Sequence, residues 1–215
     1  MADKAEASFA KDYRNARKAF IAACERAHGD AITRVHPRAL GPDGNHLFID
    51  SVALGSREAT KALLVITGAN GEDGLLGSRV LTALLESEVV PLPGTRLVLV
   101  HALNPYGFAW HQQTNEDGVR LDDPKADQSW SFTMLRAIAT EDLARTEKLR
   151  ILDVGQGPAS EVAAALNYGP ARVLKDFRPR IDLIAARLTL QPSPAGGLTE
   201  SILAKSVVIR ALATL

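Results

Sequence analysis

The chain has 215 residues, 46% hydrophobic and 23% charged, which is enough for one domain with a sizeable core in an ordinary globular protein. Its 25 basic and 25 acidic residues cancel, so no basic excess points to nucleic acid or to an anionic membrane, and the lack of net repulsion favours self-association or a protein partner. Cys24 is the one cysteine, the charged N-terminus lacks the apolar core of a signal peptide, and no apolar run approaches the roughly 20 residues of a membrane span; a reducing, cytoplasmic location is expected.

Phe9, Tyr13, Ala16, Phe20, Cys24 and Ala27 recur at helical spacing. With Asp3 and Glu6 as a capping box and Gly29 as a stop, they predict a helix over residues 4–28, its aromatic stripe a core face and Cys24 a buried structural thiol. Two short strands are expected at Ile32–His36 and Leu47–Ala53, joined by a turn at Gly41-Pro42-Asp43-Gly44. Lys61–Thr67 is a continuous apolar run, the pattern of a strand buried on both faces. A helix over Leu75–Leu85, a turn at Pro91–Gly94 and a second buried strand over Arg96–Ala102 follow. Asn104–Pro124 reads as a long polar loop, a length usual for functional or disordered segments. Beyond it come a helix over Ser129–Lys148, a third buried strand at Arg150–Val154 and a fourth at Ile181–Leu190. A loop at Pro192–Gly197 and a closing helix over Leu198–Leu212 complete the pattern. Strands alternating with helices predict an α/β protein: a single domain over residues 1–215 with a mostly parallel (mixed) central sheet and helices on both faces.

The most informative stretch is Leu63–Gly77, LLVITGANGEDGLLG, where a buried strand empties into a glycine-spaced loop. In α/β proteins the carboxyl end of a strand is where chemistry sits. Gly68, Gly71, Gly74 and Gly77 do not form G-x-G-x-x-G, and no Lys-Ser/Thr pair completes a phosphate loop. Gly155-Gln156-Gly157 is broken by Pro158, and no G-x-S-x-G supports a serine nucleophile.

The segments GPDGNHLFIDSVALG, LLVITGANGEDGLLGS and LVLVHALNPYGFAW, with NED after them, resemble the uncharacterised bacterial branch of the zinc-carboxypeptidase-like (metallocarboxypeptidase/deacylase) hydrolases. In that branch the first loop reads G-T-H-G-V-E-G, and the second element reads H-A-x-N-P-Y-G-F-A-W, nearly letter for letter His101–Trp110. The resemblance runs from Phe9 to Val119 and weakens afterward.

The resemblance implies a catalytic zinc held by a His-x-x-Glu pair and a later His, with an open water position. It also implies a glutamate base near the chain end and an Asn-Arg pair for a substrate carboxylate. The sequence departs at each of these positions. Asn70 stands where the first His belongs, and a neutral amide oxygen is a weaker zinc ligand than imidazole. Asp73 replaces the Glu with a side chain one methylene shorter. The family's Asp-x-His-Thr-Gly-x-Gly-Pro appears as Asp153-Val154-Gly155-Gln156-Gly157-Pro158, without the His-Thr pair. The Asn-Arg pair aligns with Asp122-Asp123, two carboxylates that would repel an acidic substrate, and Gln191 takes the general-base position. The chain is also short for the family, chiefly between the second loop and the third strand.

The expected degenerate pocket is therefore Asn70, Glu72, Asp73, His101, Asn104, Asp122 and Asp123, with no catalytic residue assigned. No metal or other cofactor is expected, Asp73 and His101 being the remaining metal candidates. Simpler readings stand beside these. His101 is a hydrogen-bonded structural histidine, Glu72–Asp73 a solvated acidic turn at a helix N-terminus, and Asn104-Pro105-Tyr106-Gly107 a turn with Trp110 beneath it. His111 is expected to be exposed, and His28, His36 and His46 are scattered without ligand spacing. The resulting expectation is a pseudoenzyme acting as a binding, scaffold or accessory subunit. Its partner would be another protein subunit or a second copy, with no role for nucleic acid or membrane. The alternative is a metal-dependent amide or peptide hydrolase, of carboxypeptidase or deacylase type, with zinc or another divalent metal in an altered site.

Overall fold

The computed structural model describes residues 2–156, 163–164, 169–178, 180–190, 208 and 211. Helix α1 (Ala2–Arg26) leads into the hairpin β1 (Ile32–Leu40) and β2 (His46–Leu54), whose turn closes through Gly41 N donating to Asn45 O at 2.8 Å. Then follow β3 (Lys61–Thr67), α2 (Gly74–Glu86), β4 (Thr95–His101) and a short α3 (Pro105–Trp110). A 3-10 turn at Pro124–Gln128 precedes α4 (Trp130–Asp142), β5 (Lys148–Gln156), β6 (Ala163–Ala164), α5 (Gly169–Phe177) and β7 (Asp182–Leu190).

The strands form one sheet of seven, ordered β1-β2-β4-β3-β5-β7-β6. Its centre is parallel (β4 with β3, β3 with β5, β5 with β7) and its margins are antiparallel (β1 with β2, β2 with β4, β6 with β7). The mixed α/β sheet with helices on both faces is thus as the sequence predicts.

The period-two pleat of β3 explains the two cores. Ala62, Leu64 and Ile66 point to one face, where Phe132, Leu135 and Ile138 of α4 and Val173 and Leu174 of α5 cover them. Leu63 and Val65 point to the other, beneath Phe20 and Cys24 of α1 and Val80, Leu81 and Leu84 of α2. Each fully buried side chain of this size contributes about 1.5–3 kcal/mol. Cys24 is fully buried, and burial pushes its thiol up to about 12, as a structural cysteine requires.

Three expectations are corrected. The segment Asn104–Pro124 is not a featureless loop: it holds α3 and a tight turn, with Thr114 bridging Arg120. Helix α4 ends at Asp142 rather than Lys148, because β5 begins at Lys148 and Arg178 donates from its guanidinium to the carbonyls of Leu143, Ala144 and Thr146 in between. Helix α5 has no counterpart among the predicted elements, its nine residues being too few to show a period beside flanking Gly and Pro. The predicted loop at Pro192–Gly197 and nearly all of the closing helix lie outside the described residues.

Candidate functional site

From β3 the chain crosses to β4 on one side and then returns to β5 on the other. Such a reversal opens a crevice at the carboxyl ends of the strands, where α/β proteins bind ligands. The loop between β3 and α2 lies at this point.

The glycine spacing of that loop is a packing requirement. Gly68 and Gly71 have φ of +67° and +64°, which a side chain rarely tolerates. A β-carbon on Gly74 would fall 2.2 Å from the Phe108 ring, and one on Gly77 would fall 2.5 Å from Thr67. The loop is pressed against α3 and its following turn. Asn104 holds them together: its backbone N donates to Gly68 O at 3.1 Å, its Oδ1 accepts from Gly107 N at 2.9 Å, and its Nδ2 donates to Thr114 O at 3.2 Å. Asn104 is therefore the N-cap of α3.

Within the loop, Asn70 Nδ2 donates to Asp73 Oδ2 at 3.3 Å. Asp73 is 3% exposed at the N-terminus of α2, so it is not the solvated turn residue that the sequence suggests. Glu72 is half-buried and accepts from Gln113 Nε2 at 3.0 Å. Gln113 Oε1 accepts in turn from Arg120, whose fork grips Asp122 at 3.0 and 2.7 Å. The Asp122 charge is thus balanced by its own turn. Asp123 caps the 3-10 turn, accepting from Lys125 N at 2.8 Å. Gln191 lies outside the described residues.

His101 points away from this loop, into the core under α1. Its ring stacks on Phe20, centroids 4.9 Å apart. Ser78 Oγ donates to Gly74 O at 2.8 Å, so the 2.7 Å contact with His101 Nε2 leaves Nε2–H as donor. Nδ1 faces Asp50 Oδ2 at 3.9 Å and has no hydrogen-bond partner among the described residues. Burial pushes the imidazole down to about 4, against the raising influence of Asp50. Asp50 is itself held by Arg17 at 2.7 and 2.9 Å and by Thr33 Oγ1 at 2.6 Å.

His36, one of three histidines without ligand spacing in the sequence, is buried. Its Nδ1 accepts from Ala39 N at 2.8 Å, and its Nε2 lies 3.1 Å from Glu116 Oε1, off the line of an ideal hydrogen bond. Burial raises the Glu116 carboxyl, but His36, the backbone and Arg38 together hold it below its ordinary value. The partner turn is shaped by Asn115, whose Oδ1 accepts from Asp117 N and Val119 N at 3.1 and 3.0 Å. The Asn-x-Asp-Gly spacing is the only sequence signal for this pair, because its histidine lies about eighty residues upstream.

These residues do not fit a zinc centre. Asn70 presents amide hydrogens to Asp73, His101 is bonded to Ser78, and no three His, Cys, Asp or Glu gather among the described residues. Nor is any helix among them long and apolar enough to cross a membrane.

A family model described as "Protein of unknown function (DUF2817)" matches residues 9–123. No curated protein matches the chain in sequence. Among solved structures, the chain is similar to a candidate metallopeptidase from Shewanella amazonensis, at 15% identity over 94% of this chain and 92% of that one, with a TM-score of 0.60. It is similar to a metallo-carboxypeptidase from Pseudomonas aeruginosa, crystallised with (2-guanidinoethylmercapto)succinic acid, at 14% identity over 89% and 68% of the two chains, TM-score 0.53. A candidate succinylglutamate desuccinylase/aspartoacylase from Shewanella frigidimarina matches at 15% identity over 86% and 71%, TM-score 0.51. At these identities the likeness is one of fold.

Proposed function

The chain belongs to the DUF2817 family, and from that premise and its metallopeptidase-like fold we propose that it is a non-catalytic relative of the zinc-carboxypeptidase-like hydrolases, acting by binding as a scaffold or accessory subunit. The observation that carries the reading is the Asn70–Asp73 hydrogen bond. At the two loop positions where the resemblance places a His and a Glu, the side chains are hydrogen-bonded to each other. Asp122 and Asp123 support the same reading, since both are engaged by their own turn. With Asn104 and His101 tied into the packing, the NPYGFAW element serves to hold the loop in shape.

Protein purified without chelators tests this. The expected result is no stoichiometric metal and no hydrolysis of peptides or N-acyl amino acids. Stoichiometric zinc together with turnover would overturn it.

The second reading, a metal-dependent amide or peptide hydrolase with an altered site, is favoured by one observation: a carboxylate, Asp73, 3% exposed at the carboxyl end of the central strand. Metal that co-purifies with the wild type and is lost in Asp73→Ala would favour it over the first.

A further inference from the structure

One opening among the described residues lies away from the β3 loop. It is a groove of about 840 Å³ between α1 and the β1–β2 hairpin. One wall is a stripe of α1 at helical spacing: Arg14, Lys18, Ile21, Ala22 and Glu25. The stripe is charge-polarised, basic toward its N-terminal end and acidic toward its C-terminal end. Arg14 is paired with Asp43, but Lys18 and Glu25 have no ion-pair partner among the described residues. Seven residues of helix separate them by about 10 Å, too far to pair with each other. Glu25 also stands in the last turn, where the helix dipole disfavours a carboxylate.

We propose that this groove is where a second copy of the chain docks, α1 against α1 antiparallel about a two-fold axis. The midpoint between Lys18 and Glu25 falls between Ile21 and Ala22, both half-buried. A two-fold axis there sets each Lys18 opposite the other copy's Glu25, twice per dimer, with the Ile21–Ala22 pair at the centre. Such an isologous contact needs a self-complementary patch, and a stripe running from cation to anion about an apolar midpoint is one. The floor of the groove adds Phe48, whose register partner on edge strand β1, Val35, is 51% exposed. Zero net charge removes the long-range repulsion between like copies. This inference does not depend on whether the β3 loop is catalytic.

Sedimentation equilibrium of the full chain tests it. The wild type is expected to dimerise, and Lys18→Glu or Glu25→Lys alone to weaken the dimer about tenfold, since each reversal turns two attractions into two repulsions. An equal mixture of the two variants is expected to recover wild-type association, because the new carboxylates of one face the ammonium groups of the other. Circular dichroism and melting temperature of the separate variants confirm that both still fold. A wild type that stays monomeric at the highest concentration the protein tolerates overturns the proposal and leaves the groove to a different chain. So does a dimer indifferent to both reversals, or a mixture that fails to recover.

Discussion

Gly71 lies against Gly107 so closely that a β-carbon on Gly71 would come 2.8 Å from the Gly107 α-carbon and 2.0 Å from the carbonyl oxygen of Gln112. The loop after β3 and the helix after β4 touch backbone to backbone, with no side chain between them. The Gly-x-x-Gly spacing that suggests a ligand loop is therefore what allows two carboxyl-end segments to pack.

From this contact, Gly71→Ala is expected to destabilise the protein by about 2–4 kcal/mol, the sum of left-handed strain and backbone displacement. Gly44→Ala is the control. Gly44 also has positive φ, +74°, but nothing lies within 4 Å of its added methyl, so about 1 kcal/mol of strain alone is expected. Urea denaturation of the two variants checks the difference; equal losses would mean that the loop can move away from α3.

The buried His101 makes stability depend on pH. Its folded-state value is about 4, below the ordinary 6.5, so the unfolded chain binds the proton more readily. The contribution is complete above about pH 6.5 and is lost as pH falls toward 4, amounting to about 3 kcal/mol in all. Unfolding free energies measured across that window, for wild type and His101→Asn, should show a steeper acid loss in the wild type. A slope unchanged by the substitution would place the titration elsewhere.

Asp50 joins α1, β1 and β2 through Arg17 and Thr33, and it is wholly buried. Asp50→Ala strands a guanidinium that is only about a quarter exposed, and is expected to cost about 3–5 kcal/mol. Arg17→Met combined with Asp50→Ala should lose less than the two singles added together, since neither charge is then left alone. Additive losses in this cycle would show that the pair contributes no coupling.

Much of the fold was legible along the chain. The helix stripe of Tyr13, Ala16, Phe20 and Cys24 and the apolar runs of β3 and β4 are local patterns, set by pleat and helix period, and the structure keeps their bounds within a residue or two. α3 escaped notice because six residues with Pro, Gly and two large aromatics show no period; the signal was Asn104 before Pro105, an N-cap followed by proline at the first helical position. Asp73 was misread, and the pairings of His36 and Arg120 went unread, for a common reason. Whether a charge is solvated or held depends on partners far along the chain or across a turn, and no spacing rule reports them.

By itself the sequence determined the α/β class and the central strand, because these are properties of residue type and local order. Only the tertiary structure decided that Asn70 turns to Asp73, that His101 faces the core rather than the crevice, and that Arg120 neutralises Asp122. The physical reason is that hydrogen bonds and ion pairs are settled by distance in space, and strand order brings together groups that chain order keeps apart.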